Sequence, residues 1–385
     1  NLEDIKAPEA FYIEQRLKEE LNIPLMHDDQ HGTAIISAAA LINALELADK
    51  KIDEVKMVVN GAGAAAIACT KLYIALGLKK ENVLMCDSKG VINHKRENLT
   101  PEKLDFIAQT DISTLEQALE GADVFVGLSK GDVMTAKMLS SMAENPVVFA
   151  LANPTPEIDY NLAIATRPDV IMATGRSDFP NQVNNVLGFP YIFRGALDVQ
   201  ATGINEEMKL AAVKAIAELA KEPVPEMVKL AYNVKNIGFG REYFIPKPFD
   251  NRLLTKVSIA VAKAAMESGI SRKPIADFEE YENQLLDRMG RDEKLIRMMQ
   301  NRARSNPKRV TLGNAEEYNV LKAAQILYEE GIAHPILLGE KKFIKEQMEK
   351  FGIHLDVPIV DPMDDDQDEN RKKYRETLWR LRNRK

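Results

Sequence analysis

Residues 55–89, VKMVVNGAGAAAIACTKLYIALGLKKENVLMCDSK, constrain the fold more than any other part of the chain. They open on a short apolar run rich in β-branched residues, Val55 to Val59, of the kind that forms a buried strand. Gly61, Ala62 and Gly63 break that run. From Ala65 the period changes, and Ile67, Ala68, Leu72, Ile74, Ala75 and Leu76 recur at helical spacing until Gly77 stops them. A second strand, Val83 to Cys86, ends on Asp87. Strand, glycine turn, helix, strand and acid lie within one βαβ length, the context in which a dinucleotide fingerprint acts.

The residue types have physical reasons. Gly61 lets the chain turn sharply, and Gly63 removes the Cβ that would hold a pyrophosphate off the backbone. Ala62, Ala64 and Ala65 complete the turn, so that the free N–H groups of the helix start can meet phosphate charge. Ala66, at the third position, still allows close helix–strand packing. A tight βα turn that binds nothing uses the same glycines; the flanking strands and Asp87 favour the binding reading. An acid at that place accepts from a ribose 2′-hydroxyl, which favours NAD. Ser88 and Lys89 follow at once, a hydroxyl and a cation that can hold a 2′-phosphate, with Lys95 and Arg96 close in sequence.

A chain of 385 residues with 45% hydrophobic content can bury more than one core, so two or three domains are expected. The net charge of −7 and a pI near 5.5 argue against a partner that is nucleic acid. Cys69 and Cys86 lie in apolar runs and read as buried free thiols, which fits a reducing, cytoplasmic setting. The longest apolar stretch, Thr33 to Ala48, contains Asn43 and Glu46 and is too short and polar to span a membrane. The chain starts at Asn1, without methionine, inside a dense polar motif, and is expected to be an excerpt of a longer polypeptide.

Residues 1–33 read NLEDIKAPEAFYIEQRLKEELNIPLMHDDQHGT. A helix is expected from Pro8 to about Leu21, followed by a polar knot of His27, Asp28, Asp29, Gln30 and His31, with Thr33 as N-cap of a helix from Ala34. Carboxylates on two loops bracketing one helix can converge on Mg²⁺ or Mn²⁺, or they can form a solvated loop that caps helices. No helix is expected at the His27–His31 pair, which reads as satisfied polar histidines rather than zinc ligands.

NLEDIKAPEAF, HDDQHGTA, VVNGAGAAAIA and CDSKGVI together resemble the malic enzymes in their bacterial form. The resemblance implies that Glu3, Asp4 and Asp29 hold the divalent metal, with Asp28 near it but in no assigned ligand role. It also implies a general acid tyrosine and a general base lysine upstream of Asn1, so that the catalytic pair lies outside this chain and the excerpt turns over poorly alone. The implied reaction is oxidative decarboxylation of L-malate to pyruvate and CO₂ with NADP, NAD being a weaker substitute, in a homo-oligomer.

Beyond residue 91 the doubly wound rhythm resumes. Helical pieces are expected at 100–109 and 114–119, a strand at Val124 to Val126, and a helix from about Thr135. Another strand ends in Asn153-Pro154-Thr155-Pro156, and a fifth runs from Asp169 to Ala173. Asn-Pro alone is a turn signal; the resemblance implies that Asn153 contacts the nicotinamide half of the cofactor and the substrate. Asn184 and Asn185 can form an Asx turn or bind a hydroxy acid; the resemblance favours Asn185 as a malate contact. An amphipathic helix is expected at 202–220 and further helices at Leu253 to Met266 and Phe278 to Met289, and a basic run extends from Arg291 to Arg309.

The segment from Pro307 reads strand, helix, strand: Arg309 to Leu312, Glu316 to Glu330, Pro335 to Leu338. It resembles the start of a phosphotransacetylase domain, which implies an acetyl-CoA-responsive assembly module. Gly313-Asn314-Ala315-Glu316 stands where that family has a Pro-Glu-Gly-Glu-like turn, so acetyl transfer is not expected. The expected fold is α/β: a doubly wound Rossmann-type parallel sheet with a helical extension, plus the start of a second α/β domain. The boundaries are 1–30 for the end of an N-terminal domain with the metal motif, 31–290 for the NAD(P)-binding domain, 291–306 for a linker and 307–385 for the last piece. Two other functions fit the nucleotide turn: a nucleotide-sensing module without chemistry, and a dehydrogenase of the amino-acid or shikimate type. Neither needs a metal at Glu3, Asp4 and Asp29.

Overall fold

The computed structural model describes residues 1–5, 8–232, 234, 237–289, 299–364 and 368–382. The chain divides into two compact units, Asn1–Leu286 and Asp287–Lys385. Part of the basic run, including Arg291, Lys294 and Arg297, lies outside the described residues.

The first unit is built on a six-stranded sheet. Its strands are β1 (Met57–Asn60), β2 (Val83–Asp87), β3 (Gly90–Val91), β4 (Val124–Gly127), β5 (Val147–Ala150) and β6 (Ile171–Thr174). The order is β3-β2-β1-β4-β5-β6, with every pairing parallel except β2 with β3. The chain therefore winds outward from β1 to β3, then crosses back and winds out again from β4. The reversal between β1 and β4 leaves a crevice beyond their carboxyl ends, where open α/β sheets bind ligands.

The strands read as unbroken apolar runs because both faces of the sheet are covered. Alternate residues serve two cores: Met57, Val59, Met85, Val126 and Phe149 face one, and Val58, Leu84, Phe125 and Val148 face the other. On the first face lie α2 (Asp28–Leu47), α3 (Ala64–Ala75), α9 (Glu206–Lys221) and α11 (Arg252–Glu267). The second face is covered by α5 (Leu115–Leu119), α6 (Ala136–Ser140) and α7 (Tyr160–Thr166). The remaining helices of this unit are α1 (Glu9–Glu20), α4 (Pro101–Leu104), α8 (Phe189–Asp198), α10 (Glu226–Ala231) and α12 (Phe278–Asp287). The helical stretch expected at 100–109 shrinks to α4, because the chain after Leu104 folds back to hydrogen-bond Ala108 N–H to Ile92.

The second helix starts at Asp28, not Ala34, and Thr33 lies inside it rather than capping it. Leu2 bridges to His27, and the Asp28 N–H donates to the Leu2 carbonyl at 2.9 Å, so the polar knot is already fixed as the first helical turn. Asp28 and Asp29 in that turn suit the positive end of the helix dipole. His31 is thus helical, against expectation.

The second unit carries a three-stranded parallel sheet of β7 (Lys308–Leu312), β8 (Ala333–Leu338) and β9 (Ile359–Val360). Its core gathers Leu321 and Ala324 of α13 (Tyr318–Glu329), Ile344 of α14 (Lys341–Phe351), and Leu337. The last helix, α15 (Asp368–Arg382), buries no residue. No described helix is long and apolar enough to cross a membrane.

Candidate functional site

The glycine turn is shaped for close approach. Gly61 has φ +131°, and a Cβ there would lie 2.5 Å from the Leu128 carbonyl oxygen, so only glycine fits. Gly63 occupies the N-cap position of α3 with no side-chain cap, and a Cβ there would project into open space. The first N–H groups of α3 are left for an incoming anion. A cleft of about 750 Å³ opens at this turn, lined by Asn60, Gly61, Ala62, Gly63, Asp87, Ser88, Lys89, Lys103, Ser129 and Lys130, among others. Ala64 and Ala65 form the first residues of α3 directly behind it.

Asp87 is the charge centre of the cleft. The Arg96 guanidinium forks onto both its oxygens, at 3.0 and 2.9 Å. Lys103 Nζ donates to Oδ2 at 3.1 Å, and the Lys89 backbone N–H to Oδ1 at 2.9 Å. Burial alone would raise the carboxyl pKa; Arg96, the Lys89 N–H and Lys103 override it and hold the value at about 2. Ser88 and Lys89 are exposed at the rim. Arg96 and Lys103 reach this acid from a loop and from α4. Lys103 sits in a polar stretch and carries no sequence signal.

The second focus is the N-terminal end of α2. The pairing of Leu2 with Met26 and His27 brings Glu3 and Asp4 to it. Asp4, at φ +59°, donates its N–H to Asp29 Oδ2 at 2.8 Å. Asp28 is fully buried; its Oδ2 accepts from Asn185 Nδ2, while Oδ1 has no hydrogen-bond partner among the described residues. Burial first, then the negative charges of Glu3 and Asp29, push the Asp28 carboxyl up to about 6. Gly32 makes this contact possible, since a Cβ there would meet both Asp28 and Asn185. Among the described residues, no three His, Cys, Asp or Glu side chains are gathered closely enough to cage a metal ion. The local chemistry nevertheless fits a hard cation: an all-oxygen donor set around an orphaned, buried carboxylate oxygen.

The two histidines differ. His31 Nδ1 faces Lys209 Nζ at 3.3 Å and Nε2 faces Glu14 at 3.0 Å. Lysine can only donate, so Nδ1 accepts and Nε2–H donates, and His31 is satisfied as a neutral ring. Burial lowers its pKa in the same direction. His27 is 1% exposed, and neither ring nitrogen is hydrogen-bonded among the described residues, although Nδ1 lies 3.9 Å from Asp29 Oδ2; the expectation that it is satisfied fails.

Of the amides, Asn184 accepts from the Val186 N–H in an Asx-type turn, whereas Asn185 reaches Asp28. Asn153 is exposed beyond β5, outside the walls of the cleft, with its amide against Gly175. Besides Lys103, two more contributors carry no signal in the sequence. Asn60 ends β1 and donates to Ser129 Oγ at 2.8 Å, and Glu157 lies buried beneath the loops.

A parallel sheet with a switch point, a glycine turn and a guarded acid define a Rossmann-type dinucleotide-binding protein. The comparison with known proteins narrows this class. The family described as "Malic enzyme, NAD binding domain" matches residues 30–238, and the chain belongs to the malic enzyme family. "Phosphate acetyl/butaryl transferase" matches residues 294–385.

The NADP-dependent malic enzyme of Escherichia coli is 54% identical over 361 residues, covering 93% of this chain and 48% of that protein. An NAD-dependent malic enzyme of Rhizobium meliloti is 49% identical over 371 residues, covering 95% and 48%. The crystal structure of malic enzyme from Pyrococcus horikoshii superposes with a TM-score of 0.66 at 37% identity, covering 74% of this chain and 65% of that one. The chain spans about half the length of the curated relatives it matches.

Proposed function

We propose that this chain forms the cofactor- and metal-binding part of an enzyme that oxidatively decarboxylates L-malate to pyruvate and CO₂ while reducing NADP. The observation that carries the reading is the Asp28–Asn185 contact. It joins the acid-bearing end of α2 to the amide loop beyond β6, so that oxygen donors and a substrate-binding amide share one place. Glu3, Asp4 and Asp29 would hold Mg²⁺ or Mn²⁺ there, and Asn185 would orient malate. A bound nicotinamide supplies the hydride acceptor, and the divalent cation supplies Lewis acidity at the 2-keto oxygen.

Within this reading the chain's own residues bind and orient. Gly61, Ala62, Gly63, Ala64 and Ala65 receive the pyrophosphate, and Asn153 addresses the nicotinamide half. Asp87, Ser88, Lys89 and Lys103 surround the adenosine ribose. Arg96 and Lys103 already commit the Asp87 carboxylate, and Lys89 stands exposed beside it, which favours a 2′-phosphate, hence NADP over NAD.

The metal assignment is tested in the full polypeptide with Asp29→Asn. Mn²⁺ affinity and malate decarboxylation should both fall by at least tenfold, while NADP binding stays within twofold. An unchanged Mn²⁺ titration sinks the assignment.

A further inference from the structure

Glu157 is fully buried, makes no ion pair among the described residues, and takes no part in the reading above. Its Oε1 accepts the Ser129 N–H and its Oε2 accepts the Ala152 N–H, each at 3.1 Å. These donors stand at equivalent places: each is the second residue beyond its strand, β4 and β5 respectively. Strand pairing has ended there, so neither loop is tied to its neighbour by the ladder. The carboxylate supplies that tie.

The surroundings are built for it. Gly127 closes β4, and a Cβ there would lie 2.2 Å from the Glu157 carboxyl carbon. Gly131 likewise makes room for Thr155. Backbone bonds from Asp132 N–H to Pro156 and from Met134 N–H to Glu157 zip the two loops further along. Ser129 Oγ accepts from Asn60, which carries the link to β1 and the glycine turn. Asn153 follows Ala152 directly.

We propose that Glu157 is a positioning residue: its carboxylate locks the loop after β4 to the loop after β5 and so sets Asn153 for the nicotinamide half of the cofactor. This rests on the reading of Asn153 given above. Both oxygens accept N–H groups, an arrangement that suits the ionised form, which is acceptor-only on both sides. Burial pushes the pKa up, and the N–H bonds from Ala152 and Ser129 oppose that rise. A glutamine keeps the shape but turns an NH₂ against one of the two N–H groups, releasing one loop.

The test uses the full polypeptide and compares NADP with 2′,5′-ADP, which carries the adenosine half alone. In Glu157→Gln, NADP affinity should fall about 5- to 20-fold while 2′,5′-ADP affinity stays within twofold. No loss for NADP overturns the proposal, and so does an equal loss for both ligands, which marks a general structural role. If the variant does not fold, amide exchange in the unaltered protein decides. Protection of the Ser129 and Ala152 N–H groups that deepens with NADP but not with 2′,5′-ADP supports the lock, and any other pattern overturns it. Failure of the unaltered protein to bind either ligand overturns the dinucleotide reading itself.

Discussion

Asp87 stands where an acid accepts from a ribose 2′-hydroxyl, but its oxygens are engaged by Arg96, Lys103 and the Lys89 N–H. With its pKa held at about 2 it stays charged at any working pH, so the cluster persists. Lys89, two residues on, is exposed at the cleft. Attraction between one part-exposed ammonium and a 2′-phosphate is worth about 1–2 kcal/mol at an effective dielectric of 20 to 40, roughly tenfold in affinity. Lys89→Ala should therefore raise the NADP Michaelis constant several-fold and leave that for NAD within twofold. Equal losses for both cofactors would make Lys89 structural and return Asp87, hence NAD, to first place. Ser88 and Lys89 were legible because they adjoin the strand end. Lys103, sixteen residues on from Asp87, reaches it only through the fold.

At the scale of elements, α2 carries the most. Its buried face packs on α3 and α9, and its first turn holds Asp28 and Asp29. The cap signal placed its start at Ala34 behind Thr33, since Ser or Thr before an apolar run is the usual cap. The earlier start depends on Leu2, whose backbone pairs with His27, 25 positions on, in no pattern that periodicity can reveal. By contrast β1, β2, β4, β5 and β6 were legible, because short apolar runs between turn residues have few other uses in a doubly wound chain. Near the C-terminal end of α2, Asn43 Nδ2 donates to the Ala217 carbonyl of α9 and the Phe244 carbonyl, at 2.8 and 2.9 Å. Asn43→Leu should cost about 1–3 kcal/mol, because it strands a buried carbonyl. Thermal unfolding measures it, and an unchanged midpoint would show that the two bonds contribute nothing net.

At the scale of the molecule, two units with separate cores are each open to test. The first places a dinucleotide cleft, an acidic helix end and an amide loop around one sheet, all beyond the carboxyl ends of its strands. The residue types at these sites were visible in sequence, but the Asp28–Asn185 contact, across 157 residues, was not. Nor was Glu157, a buried acid whose partners are backbone groups and so leave no mark on side-chain pattern. The central claim is the reaction itself, and product stoichiometry tests it most directly. The full polypeptide, given L-malate, NADP and Mn²⁺, should form pyruvate and NADPH in equal amounts. NADP reduction that yields oxaloacetate without pyruvate, or no malate-dependent reduction at all, would contradict it.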